Sequence, residues 1–102
     1  MTGCAGNEPY ALRILGNSMQ PEFEEGEVII IEPGQCVDHG AYVIAFYNGE
    51  YIFRQIFVKE RRLYLRPLND AYPTFRIDDE NIIKGRIISK SPGKGRQMKS
   101  YL

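Results

Sequence analysis

Short apolar runs separated by turn residues dominate this 102-residue chain and are the feature that most constrains its fold. The runs are rich in Ile, Val, Tyr and Phe, with Gly, Pro, Asn and Asp between them, a pattern typical of β-strands. The clearest pair, residues 41–47 and 50–58, flanks Asn48-Gly49. Asn-Gly readily adopts the positive φ angles of a two-residue hairpin loop. The sequence therefore predicts a mainly β fold with antiparallel hairpins and few or no helices.

A two-residue loop at Asn48-Gly49 also predicts which residues face each other across the hairpin. It pairs Val43 with Arg54, and because side chains alternate along a strand, Arg54 shares one face with Ile52 and Ile56. We therefore expect a charged side chain on the inward face of the hairpin. The alternative is an edge arginine whose stem covers apolar surface while its head reaches water.

Three further segments complete the predicted architecture. The continuous apolar run at residues 28–31 predicts a strand buried on both faces, and residues 62–65 follow the hairpin after a charged turn. Residues 82–88 predict a late strand that Gly85 interrupts. The expected order is a meander with a returning final strand.

The length and composition predict one domain without a membrane segment. A chain of 102 residues, 43% of them hydrophobic, supports a single core, and no run approaches the roughly 18 apolar residues of a membrane span. We expect a flexible segment at residues 1–9, the folded domain at residues 10–90 and a basic tail at residues 91–102. Residues 1–7 lack the basic start and apolar stretch of a secretory signal, so the expected location is the cytoplasm.

The cysteines and the histidine do not form a recognisable metal or cofactor site. Cys4 and Cys36 have neither a disulfide framework nor metal-ligand spacing, so we expect two reduced thiols. His39 lies in an Asp-His-Gly turn, where exposure to solvent is the simpler interpretation. No metal and no cofactor are expected.

The charge sums to zero but is unevenly distributed. Residues 1–80 carry 7 Lys and Arg against 13 Asp and Glu, whereas residues 81–102 carry 6 against none. A tail of this kind is able to contact nucleic acid or an acidic partner. A solvated, frayed terminus is the simpler interpretation, because residues 92–95 read PGKG.

The segment before the strands is a tight turn that exposes a serine. Residues 15–21 read LGNSMQP, and Ser18 alone is more often a turn or cap residue than a nucleophile. Over about residues 10–90, however, short matches in the correct order resemble the peptidase domain of LexA, UmuD and phage repressors. They are LGNSMQP followed by GEVIII at 26–31, GEYIFRQI at 49–56, LYLRPLN and AYP within 63–73, and IKGRII at 83–88.

The resemblance implies the LexA/signal-peptidase-like fold of twisted antiparallel sheets and a serine-lysine peptidase site. In that family the serine attacks a peptide carbonyl, a desolvated neutral lysine takes its proton, and main-chain amides stabilise the oxyanion. Ser18 matches the nucleophile, and the amides of Asn17 and Ser18 match the oxyanion donors. Arg54 occupies the position of the catalytic lysine.

Arginine at this position changes the expected chemistry. A guanidinium has a pKa above roughly 12 and does not lose its proton in a protein, so Arg54 cannot be the general base. Lys59 is turned to the opposite face of the strand by its odd offset, and His39 is only a remote candidate. We therefore expect residual catalysis at most.

Two other features of the resembled proteins are missing. Those proteins cut themselves at an Ala-Gly or Cys-Gly bond well upstream of the serine, but Ala5-Gly6 is so near Ser18 that, although the chain could reach, little of it remains to form the returning segment, and self-cleavage there is not expected. The helix-turn-helix domain that usually precedes this one in repressors is also missing, so no direct DNA-binding motif is expected in this chain. The resemblance implies a homodimer that pairs through C-terminal strands, with a protein or peptide partner in the cleft.

The sequence thus predicts a catalytically degenerate LexA-like peptidase domain that serves as a regulatory or dimerisation module of a repressor or SOS-type system. The alternative is an active, self-cleaving serine peptidase that uses another base. The partners of Arg54 and its position relative to Ser18 separate the two hypotheses.

Overall fold

The computed structural model describes residues 8–35, 37–91 and 98–101, which form eight β-strands and one turn of 3-10 helix at Glu80–Ile82. The mainly β prediction is confirmed. No helix in the described ranges has the length and apolar character needed to cross a bilayer. The strands are β1 (Tyr10–Arg13), β2 (Val28–Pro33), β3 (Tyr42–Tyr47), β4 (Glu50–Lys59), β5 (Arg62–Arg66), β6 (Phe75–Ile77), β7 (Ile83–Ser91) and β8 (Lys99–Ser100).

The strands pair antiparallel in one sheet with the order β1-β2-β7-β3-β4-β5-β6, and β8 also pairs with β7. Strands β3 to β5 form the expected meander, which β6 continues, and β7 returns to lie between β2 and β3. This arrangement confirms the predicted returning strand. It places β1 and β6 at the two edges of the sheet, and neither of these short strands was expected from the sequence.

The hairpin between β3 and β4 has the predicted register. Asn48 and Gly49 have φ angles of 52° and 85°, as a loop of two left-handed residues requires. Val43 lies opposite Arg54, and the two strands pair without a bulge from Tyr42 opposite Gln55 to Tyr47 opposite Glu50. The local turn chemistry therefore positions Arg54.

Strand β2 is buried more on one face than on the other. Ile29 and Ile31 are fully buried, whereas Val28 and Ile30 are only half-buried. The prediction of burial on both faces is therefore wrong for the face that carries Val28 and Ile30. The continuous apolar run reflects one core face and one partly covered face.

Strand β7 continues through Gly85, so the predicted interruption is wrong. A Cβ atom at Gly85 would lie 2.6 Å from Cγ2 of Ile31 and 2.9 Å from the carbonyl oxygen of Glu32. The missing side chain allows β7 to pack closely against β2. Gly85 is thus a packing requirement and not a break in the strand.

Buried side chains form two clusters, one on each side of β3. Val43 and Ile44 are neighbours in sequence but belong to different clusters because they point to opposite faces. The first cluster comprises Ile14, Met19, Phe23, Ile29, Ile31, Ile44 and Ile87. The second comprises Val43, Ala45, Ile56, Leu65, Ile77 and Ile83.

The described C-terminal residues pack against the first cluster. The amide of Tyr101 donates to the carbonyl of Ile88 at 2.9 Å, and its ring centroid lies 5.1 Å from that of Phe23. Lys99 Nζ lies 2.6 Å from Oε2 of Glu22. Residues 98–101 therefore differ from the expected frayed terminus, while residues 92–97 lie outside the described ranges.

Candidate functional site

The Ser18 turn follows β1 and is fixed by a distant segment. The carbonyl oxygen of Ser18 accepts hydrogen bonds from the amides of Leu68 and Asn69 at 3.1 and 3.0 Å. Asn69 Nδ2 donates to the Asn17 carbonyl at 3.0 Å, and the Tyr72 hydroxyl donates to Asn17 Oδ1 at 2.6 Å. Hydrogen bonds from residues 68–72 thus hold the turn in place. Ser18 itself is half-buried.

The turn is also anchored by its own sequence. Gly16 has a φ angle of 82°, which glycine adopts without steric cost, and its amide donates to Oε2 of Glu25 at 3.0 Å. The Phe23 amide donates to the Met19 carbonyl at 2.9 Å, and both side chains are fully buried. The small residues allow the bend, and the apolar residues attach it to the core.

Arg54 lies on the inward face of β4 and is only 5% exposed. Ile56 on the same face is fully buried and Ile52 is half-buried. The alternative of an edge arginine with a solvated head therefore does not apply. A buried guanidinium needs hydrogen-bond acceptors or a counter-charge, because moving an ion out of water costs on the order of several kcal/mol.

The surroundings of Arg54 supply few such partners. Nη1 donates to the carbonyl oxygen of Phe53 at 2.9 Å, but buried Nε has no hydrogen-bond partner among the residues that the structure describes. The rings of Tyr72 and Phe75 each lie 5.7 Å from Cζ, within range of a cation-π interaction. None of the ion pairs found among the described residues includes Arg54.

Burial lowers the pKa of Arg54 from its ordinary value, and the nearby Tyr72 and Glu50 side chains act in the opposite direction. Arginine begins so far above neutrality that the guanidinium keeps its proton at physiological pH. Arg54 is therefore a permanent positive charge in a poorly hydrated position.

Ser18 and Arg54 line the same groove, which has a volume of about 520 Å³. Its walls are mainly apolar and include Leu12 and Leu15 from the β1 side and Ile52 from β4. Tyr72 joins the two predicted site residues, since its ring lies over Arg54 and its hydroxyl holds the residue before Ser18. The structure thus brings Ser18 and Arg54 into one site.

The two other candidate bases lie elsewhere. His39 is exposed in its turn, where Nδ1 accepts a hydrogen bond from the Val58 amide at 2.9 Å. Lys59 is the exposed last residue of β4 and pairs with Arg62 across the next turn. Neither residue lines the groove, and β4 has no bulge that would redirect Lys59.

The predicted oxyanion donors lie within this turn. In the described part of the chain, neither the Asn17 amide nor the Ser18 amide donates a hydrogen bond. Both therefore retain a donor, and their role as oxyanion donors stays a prediction. Cys4, Cys36 and the Ala5-Gly6 bond lie outside the described ranges.

Several cations of the basic C-terminal region are neutralised within the chain. Arg86 Nε lies 3.2 Å from Glu32 Oε1, and Lys90 Nζ lies 3.3 Å from Glu27 Oε1. With the Lys99 ion pair, three of the four cations that the structure describes in residues 81–102 have an acidic partner. This weakens the hypothesis that the tail is a nucleic-acid contact.

Sequence reasoning did not assign a role to three groove residues. Tyr72 and Phe75 place their rings against Arg54, and Glu50 lies on the groove wall. Glu50 and Tyr72 lie in segments that carry the family resemblance, whereas Phe75 does not, and a ring brought in from two or more strands away leaves no local signal. Glu50 was visible as the residue after the hairpin loop, but register alone does not show that it borders the groove.

The model of the Peptidase S24-like family matches residues 2–88. Over 92 residues the chain is 33% identical to the HTH-type transcriptional regulator for conjugative element R391 of Providencia rettgeri, covering 83% of this chain and 43% of that protein. It is 33% identical over 98 residues to the prophage repressor CohE of Escherichia coli (strain K12), covering 92% of this chain and 43% of that protein. The LexA repressor of Desulfatibacillum aliphaticivorans is 27% identical to this chain over 93 residues, covering 90% of this chain and 46% of that protein.

The chain therefore belongs to the Peptidase S24-like family, and the resemblance inferred from its motifs is confirmed. It spans less than half the length of these three relatives.

Proposed function

We propose that this chain is an S24 peptidase domain that has lost efficient catalysis and acts as a binding and regulatory module of a repressor-type system. The observation that carries this proposal is the buried guanidinium of Arg54 in the groove of Ser18. A buried lysine is able to become neutral and take the serine proton, whereas arginine keeps its charge and has no lone pair to offer.

The remaining groove residues do not supply an equivalent base. Among the described residues that line the groove, none is a lysine or a histidine. The charged ones besides Arg54 are Arg13, whose Nη1 donates to the Gly26 carbonyl at 2.9 Å, and Glu50. Without a base, Ser18 keeps the weak nucleophilicity of an ordinary hydroxyl.

The regulatory context rests on the relatives. Two of the similar proteins are named as repressors and one as a transcriptional regulator, and each is more than twice as long as the matched region. In this setting the domain would pair as a homodimer, hold a protein or peptide in its groove, and work in the cytoplasm. A role in an SOS-type response belongs to the same proposal.

The first test measures cleavage of a family-type peptide by the wild type and by Arg54→Lys. We expect cleavage by the wild type to be about a thousandfold or more below that of an intact serine-base site, the scale of loss when the base is missing. Arg54→Lys restores an amine that burial makes neutral, so its rate should rise at least tenfold, a gain of roughly 1.4 kcal/mol in transition-state stabilisation.

The control for this gain is the double variant Arg54→Lys with Ser18→Ala, which should return to the background rate. Rapid cleavage by the wild type that disappears in Ser18→Ala would overturn the proposal. It would favour the alternative, an active serine peptidase that uses another base.

One observation favours that alternative, because the carboxylate of Glu50 borders the same groove. A carboxylate within hydrogen-bond reach of a serine is able to accept its proton. Glu50→Gln would abolish wild-type cleavage if Glu50 were the base. If catalysis is lost as proposed, Glu50→Gln should leave the low rate unchanged.

A further inference from the structure

We infer that the groove binds an extended apolar peptide by its free C-terminal carboxylate, with Arg54 as the anion receptor. This inference rests on the proposed function, since it requires a groove that binds rather than cleaves. In an active family member, the scissile peptide carbonyl lies between the serine and the base. In this proposal, the ligand carboxylate takes that place, between Ser18 and Arg54.

The first argument is the unmet hydrogen-bonding capacity of Arg54. The side chain is more than nine-tenths buried, and only Nη1 has an acceptor within the described residues. A guanidinium presents five donors in a planar fork that matches a carboxylate. The rings of Tyr72 and Phe75 flank the guanidinium but accept no conventional hydrogen bond from it. An anion in the groove would supply the missing acceptors.

The second argument is the charge of the groove. Among the described residues that line it, two carry guanidinium groups, Arg13 and Arg54, and one carries a carboxylate, exposed Glu50. Glu50 shows no ion pair with Arg54 among the described residues. The groove therefore has a net positive charge with its buried charge unpaired, which favours an anionic ligand.

The third argument identifies the rest of the ligand. The groove walls contain Leu12, Leu15 and Ile52, so the part of the ligand beyond its carboxylate is apolar. Strand β1, which supplies Leu12 and Arg13, pairs only with β2 among the described strands. Its other edge offers backbone groups to an extended peptide, which adds hydrogen bonds that an aliphatic carboxylate cannot make.

Ser18 has a place in this complex. Its hydroxyl is a donor as well as an acceptor, and it lines the groove together with Arg54. A carboxylate between them would accept from both side chains. The same serine that attacks a carbonyl in an active family member would here hold a product-like group.

The test compares two forms of one peptide with the full chain. A fluorescein-labelled tetrapeptide of leucine, valine and alanine is prepared with a free C-terminal carboxylate and with a C-terminal amide, and binding is followed by fluorescence polarisation. We expect the acid to bind at least about tenfold more tightly than the amide, as a charge-assisted hydrogen bond provides. Equal affinity of the two forms would overturn the inference, and this comparison needs no variant.

Variants then locate the effect. Arg54→Met should reduce the preference for the acid to less than about twofold, while the control Arg62→Met, an exposed arginine outside the groove, should keep it. A preference that survives Arg54→Met would overturn the assignment to Arg54. Circular dichroism of each variant shows whether it is folded before binding is measured.

Octanoate distinguishes a peptide from a free aliphatic carboxylate. It should compete with the labelled peptide acid at least about tenfold more weakly than the unlabelled peptide does, because it lacks the backbone groups. Competition of equal strength would overturn the peptide assignment. Mass spectrometry of the labelled peptides after each titration shows whether the wild type has cleaved them, so that cleavage contradicts the proposed function and is distinguished from a failure of the acid to bind better than the amide.

Discussion

Two cations of this domain with little exposure to solvent lie against aromatic rings but differ in their partners. Lys90 on β7 has a side chain 13% exposed and lies 5.3 Å from the Phe23 ring centroid, with Glu27 Oε1 at 3.3 Å and the Glu22 carbonyl as a further acceptor. Arg54 on β4 is 5% exposed and has two rings at 5.7 Å, but it forms no ion pair in the described part of the chain.

The difference separates a charge that the fold itself pairs from a charge that the fold leaves unpaired. At Lys90 the fold itself provides a carboxylate and a carbonyl, so the cation helps to join the C-terminal half of the sheet to the segment after the Ser18 turn. At Arg54 the fold provides mainly rings and a groove. A buried charge without a counter-charge costs stability, and such a cost is commonly found at functional sites.

The largest expected effect comes from breaking the paired site. Lys90→Met should lower the free energy of unfolding by about 3 kcal/mol, because it leaves the Glu27 carboxylate, 14% exposed, without its cation. Urea unfolding measures the loss. Lys84→Met on the same strand is the matched control, since Lys84 is exposed and should cost less than about 0.5 kcal/mol. A loss at Lys90 no larger than at Lys84 would contradict its structural role.

The unpaired site should respond with the opposite sign. Arg54→Met removes an uncompensated charge and leaves a side chain of similar length between the same rings, so we expect stability to rise by about 1 kcal/mol. The same urea titration measures it. A loss of more than about 1 kcal/mol would mean that the cation-π contacts and the bond to Phe53 outweigh the cost of burying the charge.

A smaller effect concerns the pH dependence of stability, which involves the carboxylate of Glu22, the residue whose carbonyl accepts from Lys90. Burial raises the pKa of Glu22, but hydrogen bonds from Lys99 and Tyr101 outweigh it and hold the pKa below its ordinary value. A depressed pKa contributes stability that is present above the unfolded-state value and is lost as the pH falls through the folded-state value.

Thermal unfolding between pH 6 and roughly pH 3 should therefore show a decline that is partly absent in Glu22→Gln, since that window spans the ordinary carboxyl pKa. Glu24→Gln is the control, because Glu24 is an exposed residue of the same segment. Identical pH profiles for wild type and Glu22→Gln would show that the contacts of Glu22 do not stabilise the fold.

The predictable parts of this molecule are those set by neighbouring residues. The Asn48-Gly49 loop predicts the hairpin register, and alternation along β4 then places Arg54 on the inward face. The motif around Ser18 identifies the turn, and its apolar residues Met19 and Phe23 explain why it docks on the core. The order of these short segments is also sufficient to recognise the family.

The unpredictable parts depend on contacts between distant segments. Strand β8 pairs with β7 because Lys99 and Tyr101 meet Glu22, a residue near the other end of the chain. Gly85 resembled a break in a strand, and only its approach to Ile31 shows that it is required for packing. Nothing local distinguishes these outcomes. A glycine occurs both inside strands and where strands break, and a basic C-terminal segment occurs both as a strand and as a solvated tail.

The sequence by itself determined that residue 54 carries a permanent positive charge and that its side chain points inward, because side-chain direction follows from the strand register. Only the tertiary structure decided what surrounds that arginine. Tyr72 and Phe75 reach Arg54 from beyond β5, and the turn of Ser18 completes the groove from before β2. The physical reason is that the identity of a side chain fixes its charge, whereas the neighbours that compensate a charge, or leave it unpaired, are assembled by the packing of the whole sheet.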